Sequence, residues 1–128
     1  MKFTIINAKS PKKALLIHGL YASSGYWLEY LTYFKDYKLM ILDIDYFIVQ
    51  DIQKIIDEVN LLIDKNLDGE VDIIVSHSFG AILASGISSL KFKHSFEICP
   101  VHSSIRIGKE EFISEIRDRL RTSKTQEE

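Results

Sequence analysis

Ser78 is the residue of this chain best placed to do chemistry. It lies in Ser76-His77-Ser78-Phe79-Gly80, between the apolar, β-branched run Val71–Val75 and a run of mostly small residues. Ser76 and Gly80 stand two residues before and after it, and both are small enough for a strand to turn straight into a helix. Such a corner exposes the hydroxyl at its apex and brings the first amide hydrogens of the helix beside it. A serine there is a candidate nucleophile for acyl transfer, provided a base lies within hydrogen-bond reach. The bland reading of the same residue is a helix N-cap.

The elements that must position Ser78 follow from hydropathy patterning. Val71–Val75 reads as a strand buried on both faces, and Phe79–Ser89 as a close-packed helix. Upstream, Lys2–Asn7, Ala14–His18 and Lys38–Asp43 read as strands, with Pro11 breaking the chain between the first two. Trp27, Leu28, Leu31 and Phe34 fall on one face of a helix capped by Ser23 or Ser24, with Tyr30 largely outside that face. Asp51 caps the clearest helix, whose apolar stripe is Ile52, Ile55, Ile56, Val59, Leu62 and Ile63. Lys93–Cys99 reads as a last, more polar strand suited to a sheet edge. A final helix over Glu110–Arg121 carries Ile113, Ile116 and Leu120, and residues 123–128 form a polar tail. One domain over residues 1–122 is expected. Strand alternating with helix predicts an α/β fold: a mostly parallel sheet, three layers, right-handed crossovers. In such sheets ligands bind at the carboxyl ends of the strands. His18-Gly19, Asp43–Asp45, Ser76–Ser78 and Pro100–His102 are all expected there.

Ser76–Gly80 resembles the nucleophile elbow of the α/β-hydrolase superfamily, G-x-S-x-G, with Ser76 in place of the first glycine. His18-Gly19-Leu20, at the end of an earlier strand, resembles that family's His-Gly-x oxyanion loop, and Ser23, Ser24 and Trp27 resemble the residues that follow it. The resemblance spans residues 2–102 and is nearest to lipase-like esterases and thioesterases. It implies that the backbone N–H groups of Leu20 and Phe79 hold the oxyanion, each such donor typically worth about 2.7–4 kcal/mol of barrier. It makes His18 a former of the loop and not the base. Tyr21, Tyr26, Trp27, Phe47 and Phe79 are candidates for an acyl pocket, although Trp27 and Phe47 read equally as core.

The family places its acid and its histidine after later strands, for which this sequence has no counterpart, so the expected fold is a truncated α/β-hydrolase. Among the remaining histidines, His77 should point away from the site and His94 lies near the start of its strand. His102, just past the strand beside the elbow strand, is the candidate base; it also reads as an exposed loop histidine. Asp43 and Asp45 sit at the correct sheet edge, but capping or turn formation explains them equally, and no acid is assigned.

Bulk properties narrow the classes of function. The chain has 128 residues, 46% of them hydrophobic and 27% charged, with a net charge of −2. That composition fits an ordinary globular domain and gives no electrostatic reason to expect nucleic acid. Lone Cys99 excludes an internal disulfide and a cysteine-rich metal site. No membrane span and no signal peptide are read, which points to the cytoplasm. The reading is a serine hydrolase of acyl esters or thioesters needing no metal or organic cofactor. Its rival is a hydrolase-like domain that binds an acyl ligand or a partner protein without catalysis. An exposed edge at Lys93–Cys99 would suit a homodimer.

Overall fold

The computed structural model describes residues 1–48 and 51–99. Five strands, β1 (Lys2–Ile6), β2 (Lys12–Ile17), β3 (Tyr37–Asp43), β4 (Val71–His77) and β5 (Phe92–Ile98), form one sheet in the order β1-β3-β2-β4-β5. β3, β2, β4 and β5 run parallel to one another, and β1 runs antiparallel to β3. The exception has a simple cause. The turn over residues 7–11, with Asn7 in the left-handed region at φ 57, is far shorter than the dozen or more residues a parallel crossover needs. The mostly parallel α/β sheet expected from the sequence is therefore present as a mixed sheet.

Alternation along the strands divides the core in two. Leu15, Ile17, Met40, Leu42 and Ile74 face one side, where they meet Ile55, Ile56, Val59 and Ile63 of α1 (Ile52–Asn66) and Leu83 of α2 (Gly80–Ser85). Ala14, Leu16, Leu39, Ile41 and Val75 face the other, around Trp27. β2 is the strand most completely enclosed, with Ala14 to Ile17 fully buried. Helix α1 starts where its cap requires: an Asp51 carboxylate oxygen accepts from the backbone N–H of Gln53 at 3.0 Å and of Lys54 at 3.3 Å. Asp72 ties the opposite ends of three strands. Its carboxylate accepts from the Lys13 N–H at 2.7 Å and the Lys93 ammonium at 3.0 Å, which holds it ionised below its ordinary range.

Two helices differ from expectation. Ser24–Phe34 is a 3-10 helix, capped by Ser23, whose hydroxyl accepts from Gly25 N–H at 3.2 Å. Tyr30 is half-buried beside Trp27, Leu31 and Phe34, and Leu28 is exposed. Helix α2 stops at Ser85 instead of Ser89. Gly86 ends it against Ile56, where a Cβ would lie 2.6 Å from Cδ1, and a separate 3-10 turn capped by Ser88 covers Ser89–Lys91. β5 is an edge strand among the described residues, as its polarity predicts, and its central residues are exposed. The expected helix over 110–121, the tail at 123–128 and His102 lie outside the described residues.

Gly80 packs directly against the backbone at the end of β2. A Cβ there would sit 2.6 Å from the carbonyl oxygen of Ile17 and 2.9 Å from that of His18. Both are backbone atoms, so no rotamer change relieves the clash. Gly80→Ala is expected to lower unfolding stability by about 1–3 kcal/mol in urea titrations. Gly25→Ala, where the nearest atom is the Ser23 hydroxyl at 3.4 Å, is expected to stay within about 1 kcal/mol of the parent.

Candidate functional site

Parallel strands with short exits place the ends of β2, β3, β4 and β5 on one edge, and the register fixes their relative heights. Ile17 pairs with Ser76, and His77 pairs with Ile98. His18-Gly19 therefore emerges beside Ser76–Ser78, as the sequence led us to expect.

The corner itself is strained and held. Ser78 has φ 53, a left-handed conformation that costs a non-glycine residue roughly 1–2 kcal/mol. Two hydrogen bonds impose it. The Ser78 N–H donates to the Ile98 carbonyl at 2.9 Å, and the Ser78 carbonyl accepts from the Ala81 N–H at 3.0 Å. The elbow is thus pinned to β5 on one side and to α2 on the other. The first helical turn is preceded by Phe79, and no side chain caps it, so the capping role open to Ser78 in the sequence is not used. Ser78 is half-buried, and no hydrogen bond from a described residue engages its hydroxyl. Ser76, in place of a glycine, is fully buried with its hydroxyl unpartnered.

Gly19 lies directly against this corner. A Cβ on it would stand 3.1 Å from Ser78 Cβ and 3.2 Å from both His77 Nδ1 and the His77 carbonyl oxygen. The loop that carries Leu20 and the corner that carries Phe79 are therefore neighbours. Leu20 is half-buried against the core on the α1 side. Phe79 is buried, its ring edge-on to Tyr46 at 5.4 Å.

His18 is the peg of the loop. Its ring is fully buried, with Nε2 accepting from the Ile44 N–H at 2.8 Å and Nδ1 2.7 Å from the Gly19 carbonyl. Because Nε2 must accept, Nδ1 carries the proton and donates. The Tyr46 hydroxyl donates to the His18 carbonyl at 2.9 Å, and burial keeps that phenol protonated. Asp43 Oδ1 lies 3.8 Å from Nε2, but an Nε2 lone pair already taken by Ile44 leaves no proton for an ion pair. Desolvation, the larger effect, lowers the His18 pKa and outweighs the Gly19 carbonyl and Asp43. Nothing in the sequence spacing of Tyr46 announces this contact.

The other candidates separate. His77 stacks on Tyr26, with centroids 4.2 Å apart and planes at 17°, and burial lowers its pKa. Its Nδ1 is buried without a partner and underlies Gly19, so the imidazole supports the loop from the Trp27 side. His94 is the third residue of β5, at the far end of the sheet. Asp45 makes a turn, its carboxylate accepting from the Phe47 N–H at 3.0 Å. A cavity of about 550 Å³ opens at the carboxyl edge beside Leu20, walled by Ala22, Ile44, Tyr46, Phe47, Ile48 and Ile55, with Asp43, Asp45 and Glu58 also lining it. Of the aromatic residues expected to line an acyl pocket, Phe47 alone faces this cavity. Trp27 is core, Tyr21 is exposed, Tyr26 lies on His77 and Phe79 is in the main core. No cluster of three or more metal-binding side chains occurs among the described residues, and none of their helices is long and apolar enough to cross a membrane.

No family model matches the sequence, and no curated protein matches it. The structure does have a likeness. It is similar to a solved carboxylesterase of the ammonia-oxidising thaumarchaeon Nitrososphaera gargenis, with a TM-score of 0.70 at 17% identity. The match covers 92% of this chain and 47% of that one, so the chain spans about half the length of the esterase. At this identity the likeness is one of fold, and the fold is hydrolase-like.

The His18 geometry sets a pH dependence. Its pKa in the folded chain lies below the ordinary 6.5, so on acidification the unfolded chain takes the proton first. Stability is then complete above pH 6.5 and declines as pH falls from 6.5 towards the lower folded-state value. The slope from this one group is at most about 1.4 kcal/mol per pH unit. An NMR titration is expected to place the His18 midpoint below the ordinary 6.5; a midpoint at or above 6.5 would contradict the assignment.

Proposed function

We propose that this chain is a serine hydrolase of acyl esters or thioesters, built as part of a three-layer α/β-hydrolase sandwich. One observation carries the reading: Ser78 is held at φ 53 on the β4–α2 corner, with Gly19 of the neighbouring loop packed against its Cβ. Backbone strain that two hydrogen bonds maintain is characteristic of a functional corner.

In this reading Ser78 Oγ attacks the acyl carbon. The N–H groups of Leu20 and Phe79 receive the oxyanion, and a base takes the serine proton. His102, which follows β5 and therefore comes after the strand that holds the Ser78 N–H, is the candidate for that base. The protonated base then releases the alcohol or thiol, and water attacks the acyl-serine to free the acid. His18 has no part in proton transfer, because both ring nitrogens are committed to the loop. The similarity of fold to a carboxylesterase favours an ester substrate. The chemistry requires no metal or organic cofactor. The exposed β5 edge suits pairing with a second copy.

Incubation with a fluorophosphonate is expected to add one phosphonyl group at Ser78, seen by peptide mass mapping, and Ser78→Ala is expected to abolish it. His102→Ala should slow labelling by about 10²–10⁴-fold if that residue is the base. Unchanged labelling in His102→Ala would keep Ser78 as nucleophile and dismiss His102. No labelling of the parent chain would favour a domain that binds acyl ligands or a protein partner without hydrolysis.

A further inference from the structure

Resting on the pairing suggested for the β5 edge, and on no part of the serine chemistry, we propose that two copies of this chain join edge to edge through β5, antiparallel, with Ser95 on the two-fold axis. β5 stands at the end of the sheet order β1-β3-β2-β4-β5, and among the described residues no strand lies beyond it. Lys93 to Glu97 are all exposed. Successive residues of a strand turn their N–H and C=O groups to opposite sides. The Ile98 carbonyl accepts from the Ser78 N–H at 2.9 Å, and the register with β4 is unbroken from His94 to Ile98, so His94, Phe96 and Ile98 bond towards β4. Lys93, Ser95 and Glu97 therefore present their backbone groups at the outer edge, which is a template for another strand.

The sequence of β5 selects the strand that fits. A closed pair of identical edges is isologous: residue i meets residue j as j meets i. With Ser95 facing its own copy, Lys93 faces Glu97 and Glu97 faces Lys93. All three outward residues then sit in pairs that exchange both hydrogen bonds, and opposite charges meet directly at each end of the junction. On the Trp27 side of the sheet, where Phe96 lies beside Val75, His94 faces Phe96 in the pairs between, whose side chains approach more closely. Phe96, 56% exposed in one copy, is covered by the imidazole of the other. A slip by one residue sets outward groups against inward ones. A slip by two sets Ser95 against Lys93 or Glu97 and leaves the third outward residue with no counterpart on β5. The Lys93 ammonium already holds Asp72 at 3.0 Å, but its further donors and a side chain 60% exposed let it reach Glu97 as well. The pairing asks neither Lys93 nor Glu97 to give up the contacts it makes within its own chain.

Sedimentation velocity over a range of concentrations is expected to show the 14.8 kDa chain in reversible equilibrium with a species of twice that mass. Glu97→Lys sets lysines against each other at both ends and should weaken the dimer at least about 10-fold, and adding Lys93→Glu should restore most of the affinity. Because position 93 also faces Asp72, the register is read independently by cross-linking. In a Cys99→Ser background, Ser95→Cys is expected to give a disulfide-linked dimer under mild oxidation, since the Cα atoms of a hydrogen-bonded pair lie about 5.5 Å apart, within disulfide reach. Leu90→Cys, 90% exposed but outside β5, should not. A chain that stays monomeric, or a dimer that is indifferent to Glu97→Lys or fails to link through Ser95→Cys, would overturn the pairing. Fluorophosphonate labelling of Ser78 on the same samples is a separate readout. A labelled monomer overturns the pairing and leaves the serine mechanism standing; an unlabelled dimer does the reverse.

Discussion

The candidate site depends on two places where glycine backbone packs closely against a neighbouring segment. At Gly80 the corner after β4 presses on the last carbonyls of β2, and at Gly19 the loop after β2 presses on Ser78 and His77. The two contacts interlock one corner and one loop from adjacent parallel strands. A pair of backbone donors presented from separate segments needs that kind of mutual fixation, because an oxyanion site acts through dipoles that are already in place when charge develops. Gly80 has no room for a Cβ, Gly19 is tightly packed at 3.1–3.2 Å, and neither has a positive φ.

The strain at Ser78 is sustained by its surroundings. The Ile98 carbonyl and the Ala81 N–H hold the residue from opposite sides, so β5 and α2 together maintain a conformation that the isolated residue would leave. The loop is held in a different way, by an imidazole that cannot ionise without losing the Ile44 N–H. His18, Tyr46 and Phe79 form a continuous buried link from the loop after β2, through the loop after β3, to the elbow. The three strand ends that frame the site are in this way connected through side chains as well as through the sheet.

Much of this was legible before any coordinates. The β-branched runs gave the central strands because both sheet faces are covered, so apolarity is continuous along them. Asp51 and the stripe from Ile52 to Ile63 marked α1, and the spacing of Ser76, Ser78 and Gly80 marked the corner. Other features were hidden for physical reasons. Trp27, Tyr30, Leu31 and Phe34 recur at ordinary α-helical spacing, so the 3-10 geometry of residues 24–34 is not announced by their pattern. The early end of α2 comes from Gly86 meeting Ile56, a tertiary contact. Tyr26 and Phe79 pack on His77 and Tyr46, contacts that sequence proximity to the motifs does not reveal, and Ile44 and Ile48 of the β3–α1 connection line the cavity with Ile55 of α1.

If Ser78 is the proposed nucleophile, an oxygen on the carbon or phosphorus bound to it is received by amides from both segments. A crystal structure of the phosphonylated protein tests this most directly. It should place the phosphoryl oxygen about 2.7–3.1 Å from the backbone nitrogens of both Leu20 and Phe79. An adduct on Ser78 whose oxygen points into solvent, or approaches only one of the two amides, would contradict it.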